Sequence, residues 1–353
     1  MKGCIAVVVI LALTGGCAAT TTWPAASPSE DALVRPAKVK VNFTANSIST
    51  EFAEGDAGVA GRPVGIDDPV RVASISKLVV ALGVMRMAER GMIDLDKDVG
   101  DYLGWRVRNP AFPDTPVTMR QLLSHRSGLR DKIDYIVPLD GDLSLVLAKP
   151  EAWEAKDPPG AYFSYANINS PLIAAVVEVA TGDRFDRAMD SWVLAPLKLD
   201  ACYNWGAGCS DRRRSKAVTL LRPNGDLARD AAITGKDPCP VYPASDGSCD
   251  VDKLYKLGRN GSAFSPQGGL RISARDLAKI GQVLLNEGKP LLWKKTFAEM
   301  TGPVWTFNGS NGDDDKGYFK AYGLGIHWLE QDGEKWIGHV GEAYSLRAGF
   351  WVN

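Results

Sequence analysis

The segment Arg71-Val-Ala-Ser-Ile-Ser-Lys-Leu-Val-Val-Ala-Leu82 predicts the start of an apolar helix and places Ser74 three residues before Lys77. Residues three apart lie on one face of an α-helix, so the Lys77 amine can reach the Ser74 hydroxyl across one turn. A serine hydroxyl needs a neighbouring base, and a lysine in a desolvated pocket titrates low enough to act as one. The spacing therefore predicts an activated serine nucleophile.

A Ser-x-x-Lys pair also arises by chance about once in a chain of this size. In that case Ser74 would cap a helix and Lys77 would be solvated. The residues that follow argue against this alternative, because 78–88 read Leu-Val-Val-Ala-Leu-Gly-Val-Met-Arg-Met-Ala and are apolar nearly all round. Such a helix is typical of a protein interior, so we expect its first turn and Lys77 to be buried as well.

The N-terminal residues have the pattern of an export signal. Met1-Lys2 precedes an apolar run at residues 5–13, and small residues surround Cys17. The run is too short to span a bilayer, so we exclude residues 1–19 from the fold. Cys17 follows two glycines and is similar to a bacterial lipoprotein cleavage site, with simple cleavage after Ala19 as the alternative. We expect an exported protein, either periplasmic or membrane-anchored through a lipidated Cys17.

Residues 20–37 are rich in Thr, Pro, Ala and Ser, which predicts a flexible linker. The whole chain is 45% apolar and has a formal net charge of −1. About 315 residues after the linker suffice for one large core or two coupled lobes. The near-neutral charge gives no electrostatic footprint for nucleic acid, and no later segment is apolar enough to cross a membrane. A small molecule is therefore the expected partner.

Four cysteines outside the leader fall into two close groups within loop-like sequence, Cys202 near Cys209 and Cys239 near Cys249. In an exported protein such cysteines favour two small disulfide loops. A zinc site is the alternative, but no histidine lies nearby and the spacing is not Cys-x-x-Cys. The sequence does not determine which of these cysteines pair with each other. We expect neither a metal nor a cofactor.

Alternation and capping signals predict the other elements. Alternating residues predict early strands at 39–43 and 48–60 and a later pair at 322–329 and 335–340. Capping residues predict helices from Thr118 to about Gly128, from Leu172 to Gly182 and from Ser273 to about Asn286.

His125 lies in the last turn of the helix predicted from Thr118. A catalytic pair with Ser74 is one interpretation. A histidine in that position more often contacts the carbonyl ends of the helix and the loop that follows. We therefore predict a packing role for His125.

Two further short patterns carry polar groups suited to acyl transfer. Tyr165 and Asn167 lie two apart in a turn-rich loop, so on extended backbone both side chains point to the same side. They could share the serine's proton and hold an acyl side chain, although loop hydrogen bonding explains the pattern as well. In His339-Val-Gly341 the glycine would let a substrate lie against the strand, with a backbone N–H free for an oxyanion.

The chain carries these patterns in the order Ser74-x-x-Lys77, Tyr165-x-Asn167 and His339-x-Gly341. The order resembles the serine β-lactamase and penicillin-binding clan, and more narrowly the branch with class C β-lactamases, D-alanyl carboxypeptidases and related esterases. Similar blocks at 71–95, 117–128, 159–182 and 268–285 extend the resemblance over most of the mature chain. Lys256-Leu-Gly258 could pass for the third motif, but it lies in polar loop sequence before the Gly268-Gly269 block.

The resemblance implies an α/β (α+β) fold of the β-lactamase/transpeptidase type. An antiparallel sheet flanked by helices would be built from residues 38–90 and 265–353. A mostly helical lobe with the cysteine-rich loops, residues 91–264, would be inserted between them, and the site would lie in the cleft.

The resemblance also implies a role for each motif residue. Ser74 would be the acylated nucleophile, Lys77 its proton acceptor and Tyr165 the proton shuttle to the leaving group. Asn167 would orient the acyl portion, and the N–H groups of Ser74 and Glu342 would form the oxyanion hole. Water would then release the acyl group.

Three departures from the family pattern matter. His339-Val-Gly341 stands where β-lactamases usually carry Lys-Thr-Gly, so the ammonium and the hydroxyl that grip a β-lactam carboxylate are missing. Glu342 adds a negative charge beside the oxyanion hole if it points inward, and together these changes predict poor binding of anionic β-lactams. The chain also stops at Asn353 within a predicted strand, where the family usually continues with another strand and a helix. We expect a C-terminal fragment or an unusual closure of the sheet.

The leading hypothesis is an exported serine hydrolase that acts through an acyl-enzyme on small esters, amides or D-amino-acid peptides. A class C-type β-lactamase is one alternative. A non-catalytic receptor or sensor that keeps the fold is another.

Overall fold

Strands from both ends of the chain meet in one antiparallel sheet. The computed structural model describes residues 6–12, 35–58, 62–222, 224, 228 and 239–353. The strands in these ranges are β1 Ala6–Ala12, β2 Lys38–Phe43, β3 Ile48–Glu54, β4 Val70–Arg71, β5 Cys202–Tyr203, β6 Leu270–Ile272, β7 Trp305–Thr306, β8 Ala321–Tyr322, β9 His327–Gln331, β10 Glu334–Ala343 and β11 Leu346–Val352. Eight of them form the large sheet in the order β3-β2-β1-β11-β10-β9-β8-β7, and β4-β6-β5 form a small second sheet.

Ten α-helices lie between residues 75 and 301 of the described chain. They are α1 Ile75–Glu89, α2 Val99–Leu103, α3 Met119–Leu123, α4 Leu143–Leu147, α5 Asn169–Thr181, α6 Phe185–Met189, α7 Asp211–Arg214, α8 Val251–Leu254, α9 Ala274–Leu285 and α10 Lys294–Thr301. A short 3-10 turn spans Pro150–Ala152 and a π-helical turn spans Asp190–Leu194. Within the described residues, no helix is long and apolar enough to span a bilayer.

Helix α1 is the buried centre of the molecule. Its side chains are buried without a break from Ile75 to Met85. It packs against β10 and β11 on the sheet side and against α10 and the π-helical turn elsewhere. The prediction of a helix that is apolar nearly all round and buried is confirmed, and the burial extends to Lys77 in its first turn.

Helix α9 packs on the sheet beside β2, whose inward residues alternate with exposed or half-buried ones. The side chain of Phe43 points from β2 into α9 at Gly281, where a Cβ atom would lie 2.1 Å from the phenyl ring. A glycine at this point of α9 therefore lets helix and sheet approach closely.

The capping predictions are confirmed at three helices. Thr118 and Gln121 form a capping box at α3, Gly182 ends α5 in the left-handed conformation, and Ser273 accepts a hydrogen bond from the Asp276 N–H at α9. One end differs from the prediction, because α3 stops at Leu123 rather than near Gly128. His125 has a φ of 54°, which takes the chain out of the helix.

Residues 6–12 differ from the prediction that the leader takes no part in the fold. They form β1, which pairs antiparallel with β11 on one side and with β2 on the other. Valine and isoleucine at residues 7–10 favour extended backbone. The facing edges of β2 and β11 would otherwise present unpaired N–H and C=O groups in the middle of the sheet. Cys4, Cys17 and residues 20–34 of the predicted linker lie outside the described residues.

The predicted linker is shorter than residues 20–37. The Arg35 backbone N–H and guanidinium both donate to the Asp56 carboxylate, and Ala37 is buried. Residues 35–37 of the predicted linker therefore belong to the packed structure. A Thr- and Pro-rich composition does not predict the three hydrogen bonds that Arg35 donates to the Asp56 carboxylate.

The four cysteines form two disulfides, Cys202–Cys209 and Cys239–Cys249. This confirms the preference for small disulfide loops over a zinc site and settles their connectivity.

Candidate active site

Ser74 lies at the N-terminus of α1, and its hydroxyl does not cap the helix. It occupies the N-cap position, but its backbone is already helical with φ of −64°, and its side chain makes no capping hydrogen bond. The residue is half-buried. Its hydroxyl lies 3.0 Å from the Lys77 Nζ atom, so the two groups meet across one turn as the spacing predicts. The alternative of a capping serine and a solvated lysine is excluded.

Three oxygen atoms surround the Lys77 amine, whose side chain is only 5% exposed. Besides Ser74 Oγ, Nζ donates to Asn167 Oδ1 at 2.8 Å and to the Gln267 carbonyl oxygen at 3.0 Å. Both carbonyl oxygens can only accept. When Lys77 is neutral, its two N–H bonds serve these carbonyls and its lone pair faces the Ser74 hydroxyl. The arrangement therefore allows Ser74 to pass its proton to Lys77.

The surroundings of Lys77 suit a base at neutral pH. Burial lowers the pKa of Lys77 from 10.5 to about 7, and the negative charge of Asp131 opposes the change. A large fraction of Lys77 is then neutral near pH 7, which an exposed lysine is not.

Tyr165 lies beside the pair, with its ring centroid 5.0 Å from Lys77 Nζ. Its hydroxyl is shielded from solvent and makes no well-formed hydrogen bond within the described part of the chain. Burial raises the pKa of Tyr165, and the neighbouring Ser74 hydroxyl partly opposes this rise. Near pH 7 the Tyr165 phenol is therefore protonated while much of Lys77 is neutral. Lys77 can then accept a proton and Tyr165 can deliver one.

His125 holds the backbone on both sides of Tyr165. The Ser164 N–H donates to the His125 carbonyl at 2.9 Å, and the Ala166 N–H donates to His125 Nδ1 at 3.2 Å. The two rings are also in contact, with centroids 4.3 Å apart and planes tilted by 30°. The prediction of a packing role is confirmed. The His125 ring packs on the tyrosine loop, and the His125 backbone N–H donates to the Leu122 carbonyl at the end of α3 at 3.2 Å.

Asp131 is a site residue that sequence reasoning missed. Its carboxylate accepts hydrogen bonds from the Asn167 N–H at 2.7 Å, from Asn167 Nδ2 at 2.9 Å and from the Ile168 N–H at 2.9 Å. These bonds orient the Asn167 amide so that its oxygen faces Lys77. Asp131 belongs to no recognisable motif, and only its position three residues after Gly128 could have drawn attention to it.

Gly341 brings β10 against the segment that leads into Ser74. A Cβ atom at this position would lie 2.2 Å from the Val72 carbonyl oxygen and 3.4 Å from the Ala73 Cβ atom. Only glycine allows this approach. The next residue, Glu342, points its side chain to solvent, where it lies 3.7 Å from the Arg347 guanidinium. The Glu342 carboxylate therefore adds no negative charge inside the site. Only the Glu342 backbone lies beside the start of α1.

His339 is buried and both of its ring nitrogens are engaged by the protein. Nδ1 lies 2.6 Å from the Val340 carbonyl oxygen and must donate to it, so in the neutral ring Nε2 accepts from the Tyr322 hydroxyl at 3.0 Å. Burial lowers the pKa of His339 to about 3. The ring centroid lies 6.0 Å from that of Tyr165. This geometry gives His339 a supporting position beside Tyr165, which differs from the substrate contact predicted from the sequence.

The Lys256-Leu-Gly258 segment takes no part in this cluster. The Gly258 N–H donates to Glu178 Oε2 at 2.9 Å, and its carbonyl accepts from Trp105 Nε1 at 3.2 Å. Its contacts are with α5 and the loop after α2, as expected for a segment that only mimics the third motif.

A sequence model of the Beta-lactamase family matches residues 49–353. The chain belongs to the beta-lactamase family. It is 34% identical to esterase EstB of Burkholderia gladioli over 282 residues, which cover 70% of this chain and 67% of that protein. Penicillin-binding protein 4 of Amycolatopsis lactamdurans is 30% identical over 303 residues, 82% of this chain and 72% of that protein.

The fold agrees with this membership. The octameric penicillin-binding protein homologue from Pyrococcus abyssi matches with a TM-score of 0.61 at 18% identity, covering 100% of this chain and 70% of that chain. At this identity the likeness shows the fold alone. The predicted β-lactamase/transpeptidase-type architecture is confirmed, and the chain is a serine hydrolase of the beta-lactamase family.

The third motif, His339-Val-Gly341, differs from the Lys-Thr-Gly that the resemblance associates with β-lactamases. The ring of His339 is neutral and turned into the protein, and Val340 carries no hydroxyl. Neither residue offers the positive charge or the hydroxyl that the resemblance associates with β-lactam carboxylates.

Proposed function

We propose that this protein is an exported serine hydrolase that cleaves small esters and amides through an acyl-enzyme on Ser74. The observation that carries the proposal is the buried Lys77 amine, which lies 3.0 Å from the Ser74 hydroxyl while two carbonyl oxygens occupy its N–H bonds. Export is supported by the two disulfides, since such bonds persist in oxidising compartments.

In the first half-reaction the Ser74 hydroxyl gives its proton to Lys77 as its oxygen bonds to the substrate carbonyl carbon. The negative charge that develops on the carbonyl oxygen is stabilised by the backbone N–H groups of Ser74 and Glu342. The proton then passes through the Tyr165 hydroxyl to the leaving oxygen or nitrogen. The bond to the leaving group breaks, and the acyl group remains as an ester on Ser74.

In the second half-reaction water replaces the leaving group. A water molecule gives a proton to the Tyr165 and Lys77 pair, and its oxygen bonds to the acyl carbon. The ester bond to Ser74 breaks and Ser74 regains a proton, so the free acid leaves and the enzyme is restored. Asn167, held by Asp131, orients the acyl portion in both steps.

The substrate class follows from the charges at the site and from the relatives. A neutral His339 leaves an anionic group beside the oxyanion hole without a cationic partner, whereas the outward Glu342 does not repel it. One relative is named an esterase and another a penicillin-binding protein. Small neutral esters are therefore the first substrates to test, followed by amides and D-amino-acid peptides.

The test compares turnover of p-nitrophenyl butyrate and p-nitrophenyl acetate with turnover of nitrocefin by the same preparation. We expect the esters to be hydrolysed in a Ser74-dependent manner and nitrocefin to be hydrolysed at least about 100-fold less efficiently, because the cationic partner for its carboxylate is missing. Rapid nitrocefin hydrolysis without esterase activity would reverse this ranking in favour of a β-lactamase.

The pH profile of ester hydrolysis should reveal the titration of Lys77. Only neutral Lys77 accepts a proton, so kcat/KM is expected to rise with pH and reach a plateau above an apparent pKa of about 7. Asp131→Asn is the matched variant. It removes the negative charge that raises the pKa of Lys77, so the midpoint should move to lower pH. A flat profile between about pH 5 and about pH 9, or a midpoint that moves to higher pH, contradicts the assignment of Lys77 as the base.

Gly341→Ala is expected to reduce kcat/KM by about 10²- to 10³-fold, the loss typical of one oxyanion donor. The new methyl group would lie 2.2 Å from the Val72 carbonyl oxygen, so β10 must move away from Ser74. Gly349→Ala on β11 is the control, since its methyl group would meet the Trp351 side chain at 3.2 Å rather than backbone. Equal kcat/KM for the two variants would contradict the assignment of β10 to the oxyanion hole.

A further inference from the structure

The phenol of Tyr165 is held in place without a hydrogen bond at its own hydroxyl. That hydroxyl is shielded from solvent and makes no well-formed hydrogen bond within the described part of the chain. The ring lies between two other rings, with its centroid 4.3 Å from that of His125 and 5.5 Å from that of Phe319. A group that gives its proton to a substrate must keep its oxygen in position for the reaction. The position of Tyr165 therefore depends on its neighbours.

His125 is the neighbour that contacts both the ring and the backbone of the tyrosine loop. Its carbonyl accepts from the Ser164 N–H at 2.9 Å, and its Nδ1 atom accepts from the Ala166 N–H at 3.2 Å. These bonds hold the residues directly before and after Tyr165, so a movement of the imidazole would also move the phenol. Because a backbone N–H can only donate, His125 Nδ1 must be an acceptor.

Asn169 determines which nitrogen of His125 carries the proton. Its Nδ2 group donates to the Ala166 carbonyl at 3.0 Å and lies 3.2 Å from His125 Nδ1. Its Oδ1 atom accepts from the Ser127 hydroxyl at 2.5 Å, while Ser127 Oγ accepts from the Leu129 N–H at 3.2 Å. The carbonyl of Ala166 can only accept, so the N–H groups of Asn169 face it and the imidazole. In the neutral ring the proton of His125 is therefore on Nε2.

The surroundings keep His125 neutral. His125 is 4% exposed, and Ser127 and Asn169 are each 1% exposed. Burial lowers the pKa of His125 well below its usual value, and the positive charge of Lys77 lowers it further. A proton on Nδ1 would also face two N–H groups. The neutral ring with its proton on Nε2 is the form that this network accommodates.

The network joins the ends of two packed helices. His125 and Ser127 follow the end of α3, Asn169 is the first residue of α5, and α3 packs against α5. The tyrosine loop leads directly into α5. Its catalytic side chain is thus tied to regular elements, which hold a reacting group more precisely than a free loop does.

We propose that His125 is a positioning residue for Tyr165, and that Ser127 and Asn169 act through it by holding the proton on Nε2. The proposal rests on the serine hydrolase function proposed above and adds three residues to its leaving-group step. The effect of His125 passes through Tyr165. Its loss should therefore slow mainly those substrates whose leaving group needs a proton.

Two butyrate esters separate this role from a general loss of stability. Both form the same butyryl-enzyme, but ethoxide must receive a proton as it leaves, whereas p-nitrophenolate leaves as a stable anion. The variants are His125→Leu and His125→Asn, which have the same branched shape. Only Asn keeps an acceptor at the place of Nδ1, and it tolerates the φ of 54° at this position.

The readout is kcat/KM for p-nitrophenyl butyrate divided by kcat/KM for ethyl butyrate. We expect His125→Leu to raise this ratio at least about tenfold, because the Ala166 N–H loses its acceptor and the phenol moves. His125→Asn should keep the ratio within about threefold of wild type. Tyr165→Phe provides the upper limit, since it removes the donated proton itself.

Asn169→Asp tests the link to the proton on His125. The carboxylate keeps the shape of the amide but cannot donate, so Nδ1 must carry a proton to face it. The chain has three histidines, so NMR of labelled histidine nitrogens gives few signals, and His125→Asn identifies the one from His125. We expect an unprotonated Nδ1 in wild type and a protonated Nδ1 in Asn169→Asp. The ester ratio should rise in this variant as it does in His125→Leu.

The outcomes separate this role from the proposed function. An unchanged ratio in His125→Leu, or an equal rise in His125→Asn, overturns the role of His125 and leaves the hydrolase standing. A protonated Nδ1 in wild type overturns the roles of Ser127 and Asn169. If His125→Leu shows no cooperative melting transition, the ratio in Asn169→Asp decides. Absence of turnover of both esters by the wild-type protein overturns the hydrolase and this role together.

Discussion

Ser74→Ala is expected to abolish ester hydrolysis, with a loss of at least about 10⁵-fold, and to leave the fold intact. The hydroxyl caps no helix and is half-buried at the entrance to α1, so its removal opens no core cavity. Lys77 keeps its two carbonyl partners, Asn167 Oδ1 and Gln267 O. Without the hydroxyl no acyl-enzyme can form, and any residual turnover should come only from direct attack of water on the bound ester.

Intact-mass spectrometry after treatment with a fluorophosphonate probe checks this prediction directly. The wild-type chain should gain one probe adduct and the Ser74→Ala variant none. Ser76→Ala is the control, because Ser76 lies two residues away but is buried, donating to the Ala73 carbonyl at 2.6 Å and accepting from the Leu270 N–H at 3.1 Å. It should lower the melting temperature and still be labelled. Labelling that survives in Ser74→Ala, or a wild-type adduct that forms without any turnover, would favour a receptor or another nucleophile.

Lys77→Ala is expected to reduce kcat/KM by at least about 10³-fold, by analogy with removal of the base from other serine nucleophiles. The reason is that the described surroundings of Ser74 offer another proton acceptor only in Tyr165, whose pKa is raised by burial. The measurement is kcat/KM for p-nitrophenyl butyrate across the pH range, since loss of the base should also remove the titration near pH 7.

Lys77→Arg is the matched control for this base. A guanidinium keeps the positive charge and the hydrogen-bond donors but does not lose a proton in proteins, so this variant should be as inactive as Lys77→Ala. Near wild-type activity in either variant would mean that Lys77 is not the base. Tyr165→Phe would then identify the phenol as the acceptor if it alone abolished turnover.

Local signals in the sequence predicted much of the site. The Ser74 and Lys77 pair depends on helix geometry over one turn, and the apolar residues that follow predicted its burial. Gly341 was predicted to let a substrate lie against the strand, and in the fold the atom that approaches it closely is the Val72 carbonyl oxygen. The caps at Thr118 and Ser273 also depend on residues three apart. Each of these features involves neighbours in the chain or the absence of a side chain.

Other features needed the tertiary structure because their partners are distant in sequence. Asp131 accepts a hydrogen bond from Asn167, 36 residues away, and no short sequence motif predicts a bond over that separation. The ring nitrogens of His339 are occupied by Tyr322 and Val340, so its neutral charge follows from burial and not from residue type. The outward direction of Glu342 depends on the pleat of β10, which determines which side chains face α1.

By itself the sequence determined that a hydroxyl and an amine share one turn of a buried helix, since chain geometry over three residues is independent of the rest of the protein. Only the tertiary structure decided the proton affinity of that amine. Burial lowers the pKa of Lys77 to about 7, and Asp131 opposes it across a long separation in the chain. Desolvation and charge act through space, so the pattern Ser-x-x-Lys becomes a nucleophile and its base only where the folded chain surrounds it.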